Sequence, residues 1–167
     1  MNILVIGSGG REHAIVRKLK ENPKVETIYC IPGNGGIAAD AVCVAEIGAK
    51  DIPAQVAFAK AHDIGFAVVA PDDPLVLGAV DALEAAGIPC FGPKANAAII
   101  EGSKVFSKEL MKKYAIPTAD YRVFTDAAAA MDYVKTCPLP VVVKADGLAL
   151  GKGVLIAETT PFPPWRP

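Results

Sequence analysis

A chain of 167 residues with a net charge of −1 and 52% apolar residues can bury about 70% of its unfolded surface, enough for one solid domain, but is short for most two-substrate enzymes. Its basic residues are mostly spread out, which leaves no electrostatic case for nucleic acid, and no apolar stretch approaches the roughly 20 residues that a membrane helix needs. Four separated cysteines without a C-x-x-C pair, and only two histidines, His13 and His62, give no zinc or redox motif and little material for a histidine triad; reduced thiols in a cytoplasmic protein are the expectation.

The chain is organised around Asn2 to Arg17, NILVIGSGGREHAIVR. Ile3 to Ile6 is a short apolar run rich in β-branched residues, with no basic region before it, so it reads as a strand and not as a signal peptide. It ends at Gly7-Ser8-Gly9-Gly10, and a helical pattern starts at Arg11. Strand, glycine turn and helix outline a phosphate site: glycines let backbone N–H groups come close to a ligand, and the helix N-terminus offers unpaired donors to an anion. The dinucleotide fingerprint G-x-G-x-x-G, counted from Gly7, requires a glycine where Glu12 stands. It also wants an acid about 20 residues further on, whereas Thr27 to Ile31 runs into Pro32-Gly33-Asn34. A phosphate on something smaller than NAD suits this turn better, with Arg11 as its charged partner. The same glycines also permit a tight turn with no ligand.

Apolar runs and helical segments continue to alternate. Thr27 to Ile31 reads as the second strand and Val42 to Ala45 as a short third. A helix is expected over Ile52 to Ala61, a strand within Gly65 to Ala70, and a helix over Pro74 to Ala86 closed by Gly87. Ile88 to Phe91 is a further strand and Lys94 to Ile100 a further helix. This alternation predicts a doubly wound parallel α/β sheet over residues 1–100. Three polar loops then fall at the carboxyl ends of strands: Gly7 to Arg11, Pro32 to Gly36 (PGNGG) and Pro71 to Pro74 (PDDP). Open parallel sheets bind ligands at that edge. Asn34 can donate and accept hydrogen bonds to a sugar or an amine, and Asp72 or Asp73 can hold an amine or hydroxyl. Helix capping is the plainer role for those aspartates.

Gly102-Ser103-Lys104 opens a new helix with Ser103 as cap and Val105, Phe106, Leu110 and Met111 as its apolar stripe. Lys108 and Lys112 suit a solvated face. Lys104 stands in the first turn, where a cation opposes the helix dipole, and such a placement suits an anionic ligand. Tyr121 to Phe124 reads as a strand, followed by Thr125 capping a helix over Asp126 to Lys135. Leu139 to Ala145 and Val154 to Ala157 are expected to pair across Asp146 to Gly153, DGLALGKG. Lys144 interrupts an apolar strand, and a buried lysine needs a partner. The glycine loop with Lys152 can fold over a phosphate chain, or serve as a flexible hairpin loop with an edge lysine.

These motifs carry a family likeness. IGSGGREHA, PGN with its following GG, PDDPL, EGSK with F-x-K, and VVVKADGLALGKGV together resemble the amino-terminal portion of the phosphoribosylamine–glycine ligases (glycinamide ribonucleotide synthetases) of the ATP-grasp superfamily. Where most relatives read P-E-x-P-L, this chain has an aspartate, and Leu150 stands where alanine is usual. The resemblance implies a phosphoribosylamine-binding pre-ATP-grasp domain over residues 1–100 and the start of an ATP-grasp domain over 101–157. It implies phosphoribosylamine contacts from Gly9, Gly10, Arg11, Asn34 and Asp72, and ATP contacts from Lys104, Lys144, Gly147, Gly151, Lys152 and Gly153. The implied reaction joins glycine to phosphoribosylamine with ATP and Mg2+. The magnesium-binding acids and adenine pocket are expected beyond the end of this chain, so the chain alone is expected to be inactive. Glu158 to Pro167, ETTPFPPWRP, departs from the family: its four prolines exclude a helix, and a disordered tail is expected. Another ATP-grasp ligase, or a non-catalytic sugar-phosphate or nucleotide module, is the alternative.

Overall fold

The computed structural model describes residues 1–149 and 153–159. The chain forms two compact units, Met1–Ile99 and Ile100–Pro167.

In the first unit five parallel strands, β1 (Asn2–Gly7), β2 (Ile28–Pro32), β3 (Val42–Cys43), β4 (Ile64–Val69) and β5 (Cys90–Phe91), lie in the order β3-β2-β1-β4-β5. β1 is the central strand. Its apolar run needs both faces covered, as a parallel strand does, and Ile3 to Ile6 are at most 2% exposed. Alternate side chains go to opposite layers. Ile3 and Val5 pack with Val16, Ile28, Cys30 and Ile37, while Leu4 and Ile6 pack with Ile31, Ala59, Ala67, Val80 and Leu83.

The chain winds outward from β1 to β3 with α1 (Gly10–Lys20) on one face. It then returns to the other side of β1 through α2 (Ile52–Ala61), which packs on the opposite face. A right-handed crossover whose direction along the sheet reverses must change face, so this order produces the doubly wound sheet that the alternation predicts.

The single helix expected over Pro74 to Ala86 is two: α3 (Asp72–Val76) and α4 (Ala79–Ala85). Gly78, at φ +87°, breaks the axis, and the turn lets Ala79, Val80 and Leu83 reach the core. α5 (Ala95–Gly102) follows.

The second unit contains α6 (Lys104–Lys113), α7 (Ala127–Val134) and an antiparallel hairpin of β6 (Val141–Lys144) and β7 (Val154–Ala157). The register pairs Val142 with Ile156 and Lys144 with Val154. Three expectations are corrected here. Tyr121 to Phe124 is not in a strand. Asp126, not Thr125, caps α7, its side chain accepting from the Ala129 N–H at 2.8 Å. Lys144 is exposed, because a two-stranded hairpin leaves one face uncovered, so it needs no buried partner. Gly151 and Lys152, and the tail from residue 160 onward, lie outside the described residues.

Candidate ligand edge and glycine loop

In an open α/β sheet ligands bind beyond the carboxyl ends of the strands, where the winding reverses. Here that point lies between β1 and β4. The glycine turn leaves β1 and the PDDP loop leaves β4, with PGNGG beside them at the end of β2. All three sequence-selected loops therefore share one edge.

The three residues Arg11-Glu12-His13 divide the work of the first turn. Glu12, which breaks the fingerprint, is 4% exposed and folds back so that the Gly9 N–H donates to its Oε2 at 2.6 Å. This interaction caps α1 from within. It also accounts for two glycines. A Cβ on Gly7, which has φ +134°, would sit 2.4 Å from Glu12 Cγ, and one on Gly9 would sit 2.7 Å from Glu12 Oε2. The N–H groups of Gly10, Arg11 and Glu12 have no acceptor among the described residues, as the first turn of a helix requires. A Cβ on Gly10 would meet nothing within 4 Å. Arg11 is exposed and forms no ion pair among the described residues. His13 turns the other way, its Nε2 2.9 Å from Asp40 Oδ2, while Lys20 Nζ donates to Asp40 Oδ1 at 3.1 Å. Hydrogen bonds from His13 and then Lys20 hold the Asp40 carboxyl below its usual range.

Asn34 sits at the edge as expected, but its carboxamide is used by the chain itself. Nδ2 donates to the Ser8 carbonyl at 2.7 Å, and Oδ1 accepts from the N–H groups of Gly36 at 2.7 Å and Ile37 at 2.9 Å. The Gly33 N–H donates to the Gly7 carbonyl at 3.1 Å. These bonds join the first and second loops. Beneath them Cys30 is fully buried, and burial, then the neighbouring Cys43 and Glu12, push its thiol up to about 12.

The two aspartates of PDDP separate cleanly. Asp73 forms an ion pair with Lys50 at 2.6 Å, whereas Asp72, half-buried, has no partner among the described residues. Neither side chain caps α3; its N-cap is Pro71.

In the second unit Ser103 caps α6, accepting from the Phe106 N–H at 3.1 Å. The sequence reading missed the larger anchor. Asp146, 42 residues away, accepts from the Lys104 N–H at 2.7 Å, from the Val105 N–H at 3.2 Å, and from Ser103 Oγ at 3.1 Å. Partial desolvation by the helix end would raise its carboxyl, but these bonds and one from the Gly147 N–H outweigh it and hold the group, though exposed, below its ordinary value. The first-turn cation is explained locally as well: Lys104 Nζ donates to the Gly147 carbonyl at 2.6 Å. Lys104 and the loop it was expected to serve are thus already joined. Gly153 is required by close packing, since a Cβ there would sit 2.8 Å from that of Ala149.

An open, doubly wound parallel sheet with a glycine turn and an acidic loop at its switch point defines the doubly wound α/β class, and these loops occupy the edge at which that class binds ligands. The chain belongs to the phosphoribosylglycinamide synthetase family, whose N domain matches residues 1–101 and whose ATP-grasp (A) domain matches residues 102–161. Phosphoribosylamine–glycine ligase of Listeria monocytogenes serotype 4b (strain F2365) is 55% identical over 157 residues, 94% of this chain and 37% of the relative. That of Vibrio cholerae serotype O1 (strain ATCC 39315 / El Tor Inaba N16961) is 52% identical over 160 residues, again 37% of its length. The crystal structure of phosphoribosylamine–glycine ligase from Thermotoga maritima superposes with a TM-score of 0.73 at 33% identity, covering 95% of this chain and 36% of that one. The chain thus spans a little over a third of the length of these relatives. Among the described residues no helix is long and apolar enough to cross a membrane.

Proposed function

We propose that this chain carries the phosphoribosylamine-binding domain and the opening portion of the ATP-grasp domain of an ATP-dependent ligase. That ligase joins glycine to 5-phosphoribosylamine and releases glycinamide ribonucleotide, ADP and phosphate in purine biosynthesis. The observation that carries the reading is the set of open N–H groups of Gly10, Arg11 and Glu12 at the sheet's switch point, beside the exposed Arg11 and the unpaired Asp72. The relatives, which are phosphoribosylamine–glycine ligases by name, supply the substrate.

In this reading Gly9 shapes the turn through its bond to Glu12, Gly10 lets the phosphate approach the amides that follow, and the Arg11 guanidinium adds the charge and fork geometry that suit phosphate. Asp72 receives the ligand's amine or a ribose hydroxyl, since Asp73 is held by Lys50. Asn34 acts by bracing the second loop against the first. In the second unit Lys104 and Lys144 neutralise the phosphates of ATP, with Gly147, Gly151, Lys152 and Gly153 as the loop above them; positioning and charge neutralisation dominate phosphoryl transfer. An arriving phosphate takes Lys104 Nζ from the Gly147 carbonyl and so loosens the loop's tether. The family's use of ATP implies magnesium, but the described residues contain no group of three His, Cys, Asp or Glu side chains that could hold it. A cytoplasmic setting belongs to the same reading, with reduced thiols its ordinary state.

The test is calorimetric titration with ribose 5-phosphate, with NAD as control. Saturable binding of the sugar phosphate, weakened about tenfold or more by Arg11→Ala without loss of folding, is the expected result. A folded chain that binds no ribose 5-phosphate overturns the assignment of the turn.

A further inference from the structure

Dinucleotide turns use three glycines for three reasons. The first permits the turn, the second lets the backbone approach a pyrophosphate, and the third lets the helix pack closely on the strand. Gly7 and Gly9 are both present, and Glu12 stands at the third place. Its side chain does not project into solvent. It fills the space beneath the turn, with Cγ 2.4 Å from where a Cβ on Gly7 would be and Oε2 2.7 Å from where one on Gly9 would be. Oε2 also takes the Gly9 N–H at 2.6 Å. The residue that would open the turn to a pyrophosphate is therefore lined by a carboxylate and has already given away its donor. The donors left over are the consecutive N–H groups of Gly10, Arg11 and Glu12, a set that matches the oxygens of one phosphate group.

We infer that Glu12 is the specificity-determining residue of this turn: it admits a ligand bearing a single phosphate and excludes diphosphate-bridged ligands, dinucleotides included. A second phosphate following the course over Gly9 finds no free donor there and, beneath it, a carboxylate anion that forms no ion pair among the described residues. That anion is 4% exposed, so it cannot swing aside without dismantling the turn. Gly7 fits the same account, being glycine to make room for the glutamate rather than for a ligand. The inference rests on the phosphosugar reading for what is admitted, but not for what is excluded.

The test compares the 167-residue chain with Glu12→Gln, which keeps the shape and removes the charge, and with Glu12→Gly, which removes both. Each is titrated with ribose 5-phosphate, inorganic pyrophosphate and NAD after its fold is checked by circular dichroism. Pyrophosphate should bind the folded Glu12→Gln chain at least about tenfold more tightly than the parent. Glu12→Gly should bind pyrophosphate at least as tightly as Glu12→Gln does, and pyrophosphate should gain more from either change than ribose 5-phosphate does. Pyrophosphate and NAD that bind folded Glu12→Gln no better than the parent overturn the inference. The parent chain gives an arm that needs no variant: pyrophosphate, though more highly charged, should bind it more weakly than ribose 5-phosphate, and the reverse order also overturns the inference. A gain of pyrophosphate binding in Glu12→Gln with no ribose 5-phosphate binding anywhere upholds the role of Glu12 and removes the phosphosugar reading instead.

Discussion

Alanine at each of three neighbouring glycines separates packing beneath the turn from space above it. Gly7 has φ +134°, and an added Cβ would lie 2.4 Å from Glu12 Cγ, 2.7 Å from Glu12 Cδ and 3.0 Å from Pro71 Cγ. The backbone angle alone costs about 1–3 kcal/mol once a side chain is present. Glu12 can retreat only by giving up its bond to the Gly9 N–H, and a bond to a charged acceptor contributes about 1.5–3 kcal/mol. Gly7→Ala should therefore destabilise the first unit by about 3–5 kcal/mol. Gly9, at φ −96°, is under no backbone strain, and its Cβ would meet only the far end of Glu12; Gly9→Ala puts the hydrogen bond alone at risk, about 1.5–3 kcal/mol. Gly10 begins α1, and its Cβ would meet nothing within 4 Å. Gly10→Ala should be neutral or stabilising by up to about 1 kcal/mol through the unfolded chain, while lowering ribose 5-phosphate affinity by occupying the phosphate's approach. Hydrogen exchange at the Ile3 to Ile6 amides reads opening of this unit, because β1 is its buried central strand. At 1.4 kcal/mol per tenfold, exchange should quicken by about a hundred- to several-thousandfold in Gly7→Ala and by about ten- to a hundredfold in Gly9→Ala. It should not quicken in Gly10→Ala. Equal losses at Gly7 and Gly10, or intact protection in Gly7→Ala, would refute the packing argument.

Asp146→Asn should destabilise α6 by about 1 kcal/mol, a capping value kept low because the carboxylate is exposed; exchange of the α6 amides measures it. The Asp146 carboxyl lies below its ordinary value in the folded chain. Its stabilisation should thus be present above the ordinary carboxylate pKa of about 4 and fade as pH falls through the lowered folded value, a dependence that the asparagine variant should lose. Burial, chiefly, pushes the Cys30 thiol up to about 12 and Cys90 to about 11. Alkylation of Cys30 at pH 8 should therefore run about a thousandfold slower in the folded than in the unfolded chain, and stability should decline as pH rises from 9 towards 12. Equal labelling of Cys30 in both states, read by mass spectrometry, would contradict this.

Local signals carried the fold a long way. The apolar run of β1, the glycines after it and the recurring helical patterns were enough for a doubly wound sheet, and the helix over Ile52 to Ala61 has the extent that its pattern predicts. What was not legible depended on partners distant in sequence or on which way a side chain turns. Gly78 reads as an ordinary position in a helical stretch until its left-handed backbone splits the helix. Glu12 reads as a missing glycine; only in three dimensions is it a cap. The acid–glycine pairing, a capping-box glutamate three residues after the N-cap, was the one signal that could have revealed it. Asp146 belongs in sequence to a glycine loop, yet it caps a helix 42 residues earlier. Aspartates 72 and 73 are indistinguishable in a string, and Lys50 separates them in space.

Because Asn34 binds Ser8, Gly36 and Ile37 at once, the first two edge loops are a single stiff body before any ligand arrives. Their conformational entropy is surrendered during folding, not at recognition. Such a receptor captures its ligand without an ordering step, and its discrimination lies in shape and charge already in place. A change of one residue in length within PGNGG would then alter the glycine turn as well, so the two loops are expected to vary together or not at all.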